Sequence, residues 1–115
     1  MKSALVILET EASRRHIRQD PADHRARIEA WMGKQARAGK LVGGEAFETE
    51  TVGPVTVRRN SDGEVTGSEG PFAGVHETLG GYIVIEAADR DEAVEIAKSW
   101  PTEETIEVRP IWEAR

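Results

Sequence analysis

A chain of 115 residues, 38% hydrophobic and 31% charged, is long enough to bury one modest core and has neither a disordered nor a fibrous composition. Its formal net charge of −6 argues against a nucleic-acid surface, and with no cysteine it has no disulfide, thiolate nucleophile or thiolate metal site. The apolar run within residues 1–8 is far too short to span a membrane and lacks the length and cleavage site of a signal peptide, so a soluble, cytoplasmic protein is expected.

Ser3 to Glu9 reads as the first strand. Ala4 to Leu8 is apolar at every position, which predicts cover on both faces. Glu11 to Gln19 is polar, with Arg14, Arg15, His16 and Arg18 clustered, and reads as a loop or short helical turn. Asp20-Pro21 is a helix start, with Asp20 as N-cap and proline at the first helical position. That helix is predicted to run to about Ala38, ending at Gly39, with Ile28, Trp31, Met32 and Ala36 on its apolar face. His24 lies one turn before Ile28 on the same face.

Lys40 to Phe47 reads as a second strand interrupted by Gly43-Gly44. Val55–Arg59 and Glu64–Thr66 flank Asn60-Ser61-Asp62-Gly63, a hairpin signal, and predict a hairpin inserted at about residues 54–67. Ser68 to Thr78 is expected to be irregular, because Gly70-Pro71 and Gly74 are turn signals. Leu79 to Glu86 reads as a strand entered through Gly80-Gly81. Asp89 to Glu92 forms a D-x-x-E helix start, followed by the stripe Ala93, Ile96, Ala97 and Trp100, and Pro101 forbids continuation. Thr105 to Trp112 alternates as the last strand, with Ile106, Val108, Pro110 and Trp112 on one face and Glu107, Arg109 and Ile111 on the other.

The predicted order, β-α-β-hairpin-β-α-β in a single domain over residues 1–115, is the ferredoxin-like α+β pattern. With both helices on one side of an antiparallel sheet, the other side would expose alternate residues of the first strand with Tyr82, Val84 and Ile111. A second copy of the chain is the simplest cover, so a homodimer is expected.

Gly70-Pro71-Phe72, His76-Glu77, Leu79-Gly80-Gly81-Tyr82, Asp91-Glu92-Ala93 and Val108-Arg109-Pro110-Ile111 together resemble the DGPF branch of the YCII-related proteins. Glu69 stands where that branch usually carries aspartate. His24-Arg25-Ala26-Arg27-Ile28 is similar to the H-L-x-x-L stretch on the first helix of YCII proteins. The resemblance implies a small ferredoxin-like dimer of the α+β-barrel type, and a catalytic histidine paired with an aspartate. Proteins of the branch are also similar to domains that occur beside extracytoplasmic-function sigma factors, which implies a regulatory module as the alternative to an enzyme.

For the enzyme reading, His24 is the acid–base candidate. The positive end of a helix disfavours an imidazolium there, and Asp20 is the carboxylate placed to orient the ring. Pro71, Phe72 and Tyr82 would form apolar walls, and His76 and Glu77 would follow them in the same loop. Arg109 would anchor an anionic group or pair with Glu77 or Glu86. The expected ligand is a small, anionic or aromatic molecule. The spacings of His16, His24 and His76 do not match a metal site, and no phosphate-cradling loop or serine elbow is present, so no cofactor is expected.

Overall fold

The computed structural model describes residues 1–72 and 78–113. The elements are β1 (Lys2–Glu9), α1 (Glu11–Gln19), α2 (Pro21–Arg37), β2 (Leu41–Ala46), β3 (Val55–Arg59), β4 (Val65–Glu69), β5 (Thr78–Glu86), α3 (Arg90–Lys98) and β6 (Thr105–Pro110). Four strands form an antiparallel sheet in the order β2-β5-β1-β6, while β3 and β4 pair only with each other. Each helical connection therefore crosses one strand before rejoining the sheet, and the mixed α+β architecture is consistent with the ferredoxin-like expectation.

Residues Glu11 to Gln19 form a helix of nine residues, more than the loop or short helical turn expected. The cause is Thr10, whose hydroxyl accepts from Ser13 N at 3.0 Å while the Ser13 hydroxyl accepts from Thr10 N at 2.8 Å. This is a reciprocal cap built from serine in place of the usual Glu or Gln. α2 starts as expected, with the Asp20 carboxylate accepting from Asp23 N at 3.1 Å and proline in the first turn. Its buried face continues from Trp31 through Gln35, not Ala36, which is exposed. The Asp89 carboxylate caps α3, but the Glu92 carboxylate reaches past it to Ala88 N and to Lys40.

The hairpin turns on Asn60, whose side-chain oxygen accepts from Asp62 N and Glu64 N, with Gly63 at φ +85°. Its second strand runs to Glu69, so Ser68 and Glu69 are extended and not part of an irregular loop. β6 stops at Pro110, two residues short of the expected end, and Trp112 is 86% exposed, off the core face on which alternation had placed it.

The core is Leu5, Trp31, Ile83, Ile85, Ala87, Ala93 and Ala97, the space between the sheet and the helices. Trp31 and Trp100 meet edge to face with ring centroids 5.0 Å apart. The register sets Val84, Ala4 and Arg109 in one row across the sheet and Tyr82, Val6 and Glu107 in the next. These residues alternate with the buried Leu5, Ile83 and Ile85 and so lie on the face away from the core. The molecule is only 18 Å through its shortest axis.

Candidate functional site

Where α2 starts and β1 ends, the sheet opens into a cavity of about 340 Å³. Its walls include Ile28, Met32, Phe47, Tyr82 and Trp100, and its titratable members are Glu9, His24, Glu45 and Glu104. Glycines shape it. A Cβ added at Gly81, where φ is +155°, would sit 2.5 Å from Glu45 O. At Gly80 it would sit 2.9 Å from Glu9 Cγ, so the backbone comes this near only because no side chain intervenes.

His24 is held by Glu104, a residue 80 positions away, with Nε2 2.8 Å from Glu104 Oε2. The Glu104 side chain is 3% exposed and that of His24 13%. Trp100 Nε1 donates to Glu104 Oε1 at 2.9 Å, and the Thr102 hydroxyl donates to the same oxygen. Burial pushes the Glu104 carboxyl up, but the bonds from Thr102, Trp100 and His24 together outweigh it and hold the group below the usual carboxylate range.

Glu9 behaves in the opposite way. It is nearly buried, and burial pushes its carboxyl above the usual range. The Thr49 hydroxyl, 3.2 Å from Oε2, and the Arg14 guanidinium offset part of the rise, while the negative charges of Glu104 and Glu50 add to it. The site thus contains a carboxylate kept ionised and a carboxyl biased toward its neutral form.

His16 stands beside this pair. Its ring meets that of His24 edge to face with centroids 5.1 Å apart. Nδ1 is 2.8 Å from Glu103 Oε1, and Nε2 is 2.9 Å from Asp23 Oδ2. The bonds to Glu103, then Asp23, raise its pKa above the ordinary histidine value against the opposing effect of burial. His16, one of the basic cluster on α1, is therefore engaged by two carboxylates of the protein itself.

The residues singled out from the sequence divide among several places. His24 and Tyr82 share the cavity just described. Asp20 does not orient His24, because its carboxylate is engaged as the N-cap of α2 and Glu104 takes the role. Pro71 and Phe72 line a different cavity of about 520 Å³ between the hairpin and the sheet, with Leu8, Phe47, Val55 and Leu79. Arg109 is on the open face of the sheet, 71% exposed, and pairs with Glu107 on its own strand rather than with Glu86, which binds the N-terminal ammonium. His76 and Glu77 lie outside the described residues.

Glu9 and Glu104 were missed. Glu9 was within reach of sequence reasoning, since Leu5, Ile7 and Glu9 alternate onto the core face of β1. Among the described residues, no group of three or more His, Asp or Glu side chains is arranged to hold a metal ion. No helix among them is long and apolar enough to cross a membrane.

A small α+β fold with an antiparallel sheet, and a buried histidine–carboxylate pair at the start of a helix, defines the class. The chain belongs to the YCII-related domain family, whose model matches residues 1–115. It is also 36% identical over 88 residues to an uncharacterized protein of Rhizobium meliloti (strain 1021), an alignment covering 73% of this chain and 69% of the relative.

Proposed function

We propose that this protein is a cofactor-independent acid–base catalyst acting on a small molecule, with His24 as the proton-transfer residue and Glu104, not an aspartate, as its partner. One observation supports this most: His24 Nε2 lies 2.8 Å from Glu104 Oε2 in the wall of a cavity that also holds Glu9. A neutral His24 donates its Nε2–H to that carboxylate, which leaves Nδ1 as the basic nitrogen. No hydrogen-bond partner occupies Nδ1 among the described residues. Glu9, biased toward its neutral form, supplies a proton or hydrogen bond to a developing enolate oxygen. The reaction class is proton abstraction next to a carbonyl and its return elsewhere, an isomerisation or tautomerisation.

Three carboxyl groups line this cavity and Arg109 is on the other face of the sheet. An anionic ligand is therefore disfavoured, and the substrate is a neutral carbonyl compound held against Ile28, Met32 and Trp100. Deuterium exchange tests this. Small enolisable ketones and aldehydes, aromatic ones included, are incubated with the protein in D2O, and loss of the α-proton signal is followed by NMR. Exchange with one of them is expected to fall by on the order of 10² to 10⁴ in His24→Asn. Exchange no faster with protein than without it, across the panel, rejects the reading.

A ligand-binding or regulatory module is the second reading, favoured by the larger cavity at Pro71 and Phe72, whose described walls are mainly apolar. The working form is a two-fold dimer, with the rows Val84–Ala4 and Tyr82–Val6 of one copy against those of the other. Tyr82, 36% exposed, loses its solvent contact in that arrangement. Light scattering is expected to return twice the chain mass of 12.7 kDa, and a monomer at micromolar concentration sinks the dimer.

A further inference from the structure

His16 touches neither member of the proposed catalytic pair through a hydrogen bond, yet it binds the chain neighbour of each. Asp23 precedes His24 on α2, and Glu103 precedes Glu104 in the segment that leads into β6. One imidazole from α1 spans both, 2.9 Å to Asp23 and 2.8 Å to Glu103. Across the gap so bridged, His24 and Glu104 meet at 2.8 Å. We propose that His16 is the positioning residue of this site: as an imidazolium it clamps α2 to the segment before β6, and on losing its proton it releases one side of the clamp.

The proton count follows from the geometry. Both ring nitrogens lie within hydrogen-bonding distance of carboxylate oxygens, which can only accept, so both nitrogens must carry hydrogen for both bonds to form. A neutral imidazole has a single N–H. Its other nitrogen would then turn a lone pair toward a carboxylate at under 3 Å, which is repulsive, and that side opens. The charged and titratable groups around His16 are Asp23, His24 and Arg27 from α2, with Glu103 and Glu104 from the segment before β6. Arg27 Nε shares Asp23 Oδ2 with His16 at 2.9 Å, so Asp23 stays fixed on its own helix when the imidazole lets go. Among the described residues Glu103 has, besides the bond from His16, a single one, from Thr10 Oγ1 to its carbonyl at 3.0 Å. The segment carrying Glu104 is thus the side that moves. The two carboxylates favour the imidazolium, which places the release on the alkaline side of the ordinary histidine range.

The inference rests on reading His24 and Glu104 as the working pair, but its test needs no substrate. The Trp100 indole N–H donates to Glu104, so its resonance reports on that carboxylate. In the native protein the Trp100 indole signal is expected to shift with pH at the same midpoint as the His16 Cε1–H signal, above the value of about 6.5 for a free histidine. In His16→Gln this transition is expected to vanish. Should that variant fail to fold, Glu103→Gln keeps the acceptor and removes the charge, and both midpoints are expected to move down together. A Trp100 signal indifferent to the titration of His16, or one with the same transition in His16→Gln, overturns the proposal. If the coupling is present but no carbonyl compound exchanges, the catalytic reading fails and the clamp stands. If exchange occurs and is not lost through the His16 midpoint, the clamp fails and the catalytic reading stands.

Discussion

The smaller cavity under α2 and the larger one beside the hairpin differ in what holds their walls. The smaller is built on β1, β5 and α2, the elements that also supply Leu5, Ile83 and Trp31 to the core. The larger leans on β3 and β4, which pair only with each other, and on residues as exposed as Val55 (58%) and Phe72 (66%). Every carboxylate–histidine contact within hydrogen-bonding distance lies in or beside the smaller one, among the described residues. Among the described residues Glu48 is the titratable one in the wall of the larger cavity, and its carboxylate is occupied in accepting from Glu50 N and Thr51 N at 2.7 and 2.9 Å. Among the described residues, the two carboxyls whose proton affinity is shifted under the influence of burial, Glu9 and Glu104, both belong to the smaller cavity.

The sharpest way to break the contrast is to fill the backbone approach that shapes the smaller cavity. Gly81→Val sets a branched side chain against Glu45 O and Ala46 Cα. It is expected to cost about 3 kcal/mol or more, against the ~0.5 kcal/mol of a typical surface change, and differential scanning calorimetry measures it. An unchanged melting temperature would show that β2 and β5 simply spread apart.

Glu104→Gln comes next, at about 1.5–3 kcal/mol, the worth of hydrogen bonds to a charged group. Its pH dependence has a definite sign. Glu104 is held below its ordinary range, so its contribution is complete above the unfolded value of about 4.3 and disappears as pH falls through the lower folded value. His16 has the opposite sign: its contribution is complete below about 6.5 and disappears as pH rises through the raised folded value. Chemical denaturation of Glu104→Gln from pH 2 to 9 is therefore expected to show a shallower acid limb than the native protein, since Asp23, Glu48, Glu86 and Glu92 still contribute to it, and to retain the alkaline one. The smallest effect belongs to the larger cavity. Phe72→Ala is expected to change stability by no more than ~0.5 kcal/mol, and a loss several times greater would show that the hairpin is tied to the fold as firmly as the sheet is.

Much of the fold was legible because its signals are local. Asp20-Pro21, Asn60 to Gly63 and the apolar run of β5 each act within a few residues, and each formed the expected element. α1 was hidden because Ser13 replaces the acidic residue that usually completes the cap. The site was half legible. His24 was placed correctly on its helix face, but its partner is 80 residues away, and no periodicity reports a contact of that span. Asp20 misled for a physical reason: a carboxylate committed to a helix N-cap is not free to turn toward a ring one turn later. Pro71 and Phe72 follow β4 and line the larger cavity, apart from His24 and Glu104.

The register of β1 on β5 slips between Ile7 and Leu8, so that Gly81 and Leu79 are their partners and Gly80 is passed over. The passed-over residue is the one against which the Glu9 side chain rests. Positions 9 and 80 therefore form a single unit of sequence change. A side chain at 80 is admissible only after Glu9 has been shortened, and a chain that drifts to alanine at 80 has first surrendered its buried acid. Across related chains the two positions are expected to covary, and a substituted residue 80 identifies members in which this corner of the fold has only a structural role left.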